Sequence, residues 1–166
     1  MWQYFADCLN KTSNTFVNNA SIFGKVYFPR LVTPLSDVIS NLVRFAIQFG
    51  LFLLVYAYYA IFTDVQIHTN WYVLMLPILV LILAGLALGF GILFSSMTTK
   101  YRDLTFLIGF AVQLWMYITP VVYPASAVAE SYRTLYMLNP VTPIVNLFRY
   151  AYLGIGEMEW LFYGIS

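Results

Sequence analysis

The chain is poor in charge and in the side chains that bind metals or form covalent bonds. Only 9% of its 166 residues are Asp, Glu, Lys or Arg, against 61% hydrophobic, too little polar surface to solvate a globular fold of this length. A single cysteine, Cys8, excludes an intrachain disulfide framework, and with a single histidine, His68, a zinc site would need carboxylates for its other ligands. A net charge of +1 offers no electrostatic footprint for a nucleic-acid partner. No Gly-x-x-x-x-Gly-Lys-Ser/Thr segment is present, so any nucleotide hydrolysis must come from another chain. The opening residues Met1-Trp2-Gln3-Tyr4-Phe5 have neither the basic region nor the small-residue cleavage site of a signal peptide.

What is present is apolar length. Residues 45–62, 71–97 and 104–122, of 18, 27 and 19 residues, contain no Asp, Glu, Lys, Arg or His. At about 1.5 Å of rise per residue each can cross a hydrocarbon core of roughly 30 Å, the first by recruiting flanking residues. The fold expected is all-α, a polytopic membrane helical bundle in one domain over 1–166, with complete spans at about 37–62, 71–97 and 104–122. Lys11, Lys25, Arg30 and Arg44 precede the first uncharged run, 45–62, and Lys100 and Arg102 separate the second from the third, whereas 63–70 holds no Lys or Arg. The positive-inside rule therefore puts the first two regions in the cytoplasm, 63–70 outside, and the chain after Val122 outside as well. Tyr and Trp at predicted interfaces, such as Tyr58, Trp71 and Tyr101, agree with that placement.

Without a carboxylate or histidine inside a span, an intramembrane protease or proton-relay transporter lacks its titratable groups, so the chain is not expected to be an enzyme. Gly85, Gly89 and Gly91, with Ala84 and Ala87, suit close helix packing. In the cytoplasmic stretch Asn18-Asn19 can cap a short helix with an apolar face made by Phe23 and Tyr27, interrupted at Phe28-Pro29-Arg30. Such a helix can anchor the loop to lipid or dock a cytoplasmic partner. Pro34 falls near the start of the next helix, and Asp103 is placed to cap the third span.

On that third span Phe106, Phe110, Gln113, Tyr117 and Val121 share one face at helical spacing. An aromatic stripe in a membrane helix ordinarily packs, and a lone amide ordinarily bonds a neighbouring helix. The same face can line a conduit for sugars, because pyranose CH faces stack on aromatic rings while Gln and Tyr bond hydroxyls. Thr119-Pro120 and Tyr123-Pro124 end the span, and Asn139-Pro140 and Pro143 break the next apolar stretch, 134–148. That stretch is a poor span and fits short helices dipping into the outer leaflet, buried against protein.

The ordered motifs resemble a family. Residues 18–34 (NNASIFGKVYFPRLVTP), then Tyr101-Arg102-Asp103-Leu104, then Thr119-Pro120-Val121-Val122-Tyr123-Pro124, then Leu138-Asn139-Pro140 and Phe148-Arg149-Tyr150 look like the permease subunit of type-2 ABC exporters. The branch they resemble moves O-antigen, capsule or teichoic-acid chains, that is, lipid-linked polysaccharides or polyol-phosphate polymers. The resemblance implies a homodimer in the bacterial cytoplasmic (inner) membrane, driven by two copies of a separate ATP-binding subunit, with no cofactor of its own. It makes residues 19–27 a coupling helix, with Asn19, Phe23, Lys25, Tyr27, Phe28 and Arg30 as docking residues. It makes 123–150 a re-entrant external gate, with Pro120, Tyr123, Pro124, Asn139, Pro140 and Arg149. Family permeases have six spans, so the chain is expected to be a fragment or a truncated reading frame. A drug or lipid exporter of the same type, or a non-transporting membrane interaction protein, are the alternatives.

Overall fold

The computed structural model describes residues 1–20, 29–62, 71–119, 121 and 139–154. The described residues are helical: α1 (Trp2–Asn18), α2 (Val32–Phe62), a 3-10 turn over Trp71–Met75 leading into α3 (Leu76–Lys100), α4 (Leu104–Ile118) and α5 (Val141–Leu153). No strand occurs among them.

Two helical stretches, Val32–Phe62 of 31 residues and Trp71–Lys100 of 30, are long and apolar enough to cross a membrane. Only 17% and 22% of their most apolar windows are buried, which separates them from the core helices of a soluble protein. Ile47, Leu54 and Ile61 on α2 and Leu81 and Leu93 on α3 point outward, a surface suited to hydrocarbon rather than water. α2 begins earlier than the uncharged run, at Val32, with Pro34 in its first turn where a missing N–H costs nothing. The third expected span, 104–122, is a helix only over Leu104–Ile118, 15 residues and about 22 Å long. It stops there because Pro120 has no N–H for the carbonyl four residues earlier; Thr119 spends both its N–H (3.0 Å) and its hydroxyl (2.9 Å) on the Trp115 carbonyl.

The chain divides into two compact units. The first comprises Met1–Phe49 and Ile82–Leu114. Its core holds Phe5, Leu9, Leu83 and Ala87, all fully buried, and Val38, Ile108 and Val112. α1 and α3 approach closely at Gly91, where a Cβ would lie 2.5 Å from Thr12 Cβ, and Thr98 Oγ1 donates to the Ser13 carbonyl at 2.8 Å. The small-residue face thus has one close approach rather than three, since Gly85 and Gly89 meet nothing within 4 Å. At the start of α4 the amides of Leu104, Thr105 and Phe106 bond the carbonyls of Tyr101, Arg102 and Asp103, a tight i to i−3 turn that takes the place of the expected Asp103 side-chain cap.

The second unit holds Gly50–Leu81 and the described residues from Trp115 onward. α5 is its centre: Val141, Thr142, Ile144, Val145, Leu147, Ala151 and Tyr152 are buried. Pro140 and Pro143 open this helix rather than break it, because both lie where helical N–H groups have no intrahelical acceptor. It ends on Gly154, whose φ of 64° is a left-handed cap that a residue with a Cβ adopts only with strain. Phe52 of α2 meets Phe148 and Tyr152 at ring-centroid distances of 5.8 and 5.4 Å, and Tyr56 Oη donates to the Tyr152 carbonyl at 3.2 Å.

Candidate functional site

Of the expected docking residues, Asn19 and Arg30 are described; Phe23, Lys25, Tyr27 and Phe28, and with them most of residues 19–27, lie outside the described residues. Asn19 caps the end of α1. Its N–H and its Nδ2 both donate to the Thr15 carbonyl, at 3.1 and 2.9 Å, so its side chain is committed backwards along the chain. Arg30 is exposed in the turn that enters α2, closed by the Val32 amide on the Pro29 carbonyl at 3.0 Å.

The helices on either side of that stretch are joined by polar contacts absent from the sequence-based expectations. Arg44 Nη1 donates to Asp7 Oδ2 at 3.1 Å, Lys11 Nζ to Asn41 Oδ1 at 2.8 Å, and Thr15 Oγ1 to Asp37 Oδ2 at 3.2 Å. Asn41, almost fully buried, also donates to Cys8 Sγ at 3.6 Å, and Gln3 Nε2 holds the other oxygen of Asp7 at 3.0 Å. The signal was available: Asp7, Lys11 and Thr15 recur every four residues, and Asp37, Asn41 and Arg44 repeat at four and three.

The expected conduit residues Phe106, Phe110, Gln113 and Tyr117 all lie on α4 and are all exposed, Phe106 at 81% and Phe110 and Tyr117 each at 60%. Ile108 and Val112, on the other side of α4, are its buried residues. The Gln113 amide and the Tyr117 hydroxyl give the face two hydrogen-bonding groups beside the exposed rings of Phe106 and Phe110.

Of the expected gate residues, Pro120, Tyr123 and Pro124 lie outside the described residues, and Asn139, Pro140 and Arg149 are described. Asn139 and Arg149 converge on the end of α4. Asn139 Nδ2 donates to Thr119 Oγ1 at 2.9 Å while its Oδ1 accepts the Val141 amide at 3.1 Å, so one side chain ties α4 to the first turn of α5. Arg149 Nη2 donates to the Val121 carbonyl at 3.0 Å. Pro140, at φ −64°, precedes the first helical residue. These donors and acceptors fix backbone and helix ends, and no metal-binding cluster of His, Cys, Asp or Glu occurs among the described residues.

Residues 7–153, from Asp7 of α1 to the last residue of α5, match the ABC-2 type transporter family. The chain belongs to the ABC-2 type transporter family. As an ABC-2 domain it is a membrane transport domain and not an enzyme. Among curated proteins it is similar to the O-antigen export system permease protein RfbA of Myxococcus xanthus, 27% identical over 150 residues, covering 89% of this chain and 55% of the relative. It is 26% identical over 164 residues to the protein of that name from Klebsiella pneumoniae, covering 96% of this chain and 60% of the relative. The inner membrane transport permease YadH of Escherichia coli (strain K12) is 28% identical over 155 residues, covering 88% and 59%. The chain thus spans a little over half the length of these relatives.

Proposed function

We propose that this ABC-2 domain belongs to the permease subunit of an exporter that moves a lipid-linked polysaccharide or polyol-phosphate polymer outward across the bacterial inner membrane. The observation that carries the reading is the likeness, over 89% and 96% of the chain, to proteins named as O-antigen export permeases. A separate ATP-binding subunit supplies the energy and docks on residues 19–30. Two copies of the permease form the conduit, to which each contributes the exposed α4 face of Phe106, Phe110, Gln113 and Tyr117. The chain crosses the membrane three times, with 63–70 and 123–150 outside, the latter acting as a re-entrant gate built on α5 and its Asn139 and Arg149 ties. The full-length relatives are longer, and this chain is read as a piece of such a six-span permease.

One observation favours a second reading of the cargo. YadH matches at comparable identity under a name that specifies no glycan, in keeping with a drug or lipid exporter of the same type. Deleting the gene separates the two: glycan cargo requires lipid-linked glycan to accumulate on the cytoplasmic side and to vanish from the surface. Normal surface glycan in the deletion strain would leave the second reading. Topology is checked with single cysteines at Asn70 and Ser21 in a Cys8→Ser background, which must react oppositely with an impermeant thiol reagent; labelling of both from outside would end the assignment.

A further inference from the structure

The contacts between α1 and α2 form a ladder with one rung per turn. Asp7, Lys11 and Thr15 run down α1 while Arg44, Asn41 and Asp37 run up α2, at 3.1, 2.8 and 3.2 Å. The outer pair is exposed, with Arg44 at 58%, and by itself adds little. The middle rung is different, because Asn41 is 2% exposed and both ends of its amide are used, by Lys11 and by Cys8. A buried amide that is satisfied in one register and orphaned in any other specifies that register. Sliding α1 along α2 by one residue would break all three rungs together, since the side chains that make them recur with the helical turn.

The residues that the proposed docking assigns to the ATP-binding subunit, 19–30, connect these two helices. We infer that α1 and the first half of α2 are a rigid strut on either side of the docking segment, locked by the Asp7–Arg44, Lys11–Asn41 and Thr15–Asp37 rungs, so that displacement of the segment moves both helices as one piece instead of sliding one past the other. This rests on the docking reading of residues 19–30. The rung residues are positioning residues: they touch neither nucleotide nor cargo.

The test uses the full-length protein assembled with its ATP-binding subunit, in a Cys8→Ser background. Surface glycan is labelled on cells with an impermeant periodate–hydrazide reagent, and ATP hydrolysis is measured on the complex purified from the same cells. Thr15→Cys with Asp37→Cys removes the lower rung, and surface glycan per unit of ATPase activity should fall severalfold; joining the two thiols with a short bis-maleimide should restore it. Asp7→Arg should lower the same ratio, and adding Arg44→Asp should recover it. A thiol link that stops export while the ATP-binding subunit is still recovered in pull-downs overturns the strut and leaves docking standing. An unchanged ratio in both the Thr15→Cys with Asp37→Cys pair and Asp7→Arg, with export falling only as assembled protein falls, reduces the ladder to ordinary packing and overturns it too. Failure of docking itself is read separately, from subunit recovery in Phe23→Asp.

Discussion

Thr12 of α1 stands against Gly91 of α3 with no room for a side chain: a Cβ on Gly91 would lie 2.5 Å from Thr12 Cβ and 2.6 Å from its Cγ2. The obstacle is a β-branched side chain packed at 0% exposure, so it cannot swing aside. Gly91→Ala should therefore cost about 1–3 kcal/mol, the usual price of overpacking. Gly85→Ala and Gly89→Ala, with nothing within 4 Å, should be neutral or stabilise by up to about 1 kcal/mol through helix propensity. Thermal unfolding of the detergent-solubilised protein, followed by size-exclusion chromatography, ranks the three. If Gly85→Ala proved as damaging as Gly91→Ala, the open side of α3 would have to face another chain.

Asn139 supports two helices with one amide. Its Oδ1 accepts the first amide of α5 and its Nδ2 donates to the buried Thr119 at the end of α4. Asn139→Ala should destabilise by about 1–2 kcal/mol, a lost cap plus a lost side-chain bond. Asn139→Asp keeps an acceptor for the Val141 amide and loses the donation to Thr119, so its cost should fall between wild type and Asn139→Ala. Equal losses for both variants would assign the whole effect to the Thr119 bond.

How much of this was legible depends on which signal each element carries. Residues 45–62 and 71–97 reveal α2 and α3 through the absence of charge alone, because the bilayer admits little else. α1 reads poorly by that measure. Its Gln3, Asp7, Asn10, Lys11 and Thr15 look like a solvated loop, yet Thr12, Ser13 and Thr15 are buried against α2 and α3. Its polar face is matched by polar residues on α2, a pairing that becomes visible only when two separate patterns are laid side by side. Among the described prolines, Pro34 opens α2 as its position suggests, whereas Pro140 and Pro143, which read as breaks in 134–148, open α5, since a proline in a first turn starts a helix and a proline one turn later breaks it. The stripe on α4 was legible as a stripe; which side of the helix the protein covers was not, because Ile108 and Val112 are no more apolar than Phe106 and Phe110.

Docking of the ATP-binding subunit is expected to depend on Phe23 and Tyr27. Replacing either by Asp in the full-length permease should abolish recovery of that subunit in pull-downs while the permease remains in the membrane, because an unpaired carboxylate in an apolar contact is costly. Undiminished recovery would return residues 19–27 to the role of a lipid anchor. Asn19→Ala should have a smaller effect on recovery, since its amide is engaged with Thr15 of its own helix.

The α4 face offers a separation between conduit and packing that the exposure pattern makes sharp. Phe110 and Tyr117 are each 60% exposed, so truncating them opens no cavity in the chain's own core and should change its stability by no more than about 0.5 kcal/mol. Ile108, 8% exposed on the same helix, is the internal control: Ile108→Ala should cost about 2 kcal/mol or more and lower the amount of protein in the membrane. If the face of Phe106, Phe110, Gln113 and Tyr117 carries glycan, Phe110→Ala and Tyr117→Ala should lower export with protein level and subunit recovery near normal. Gln113→Leu should do the same by removing the amide from that face. Export, membrane protein and bound ATP-binding subunit are measured in the same cells. Export that falls only in step with protein would make this face a packing surface toward another helix or the second copy. Normal export with normal protein in all three variants would leave the stripe facing lipid, where an exposed Gln113 would remain without a partner among the described residues.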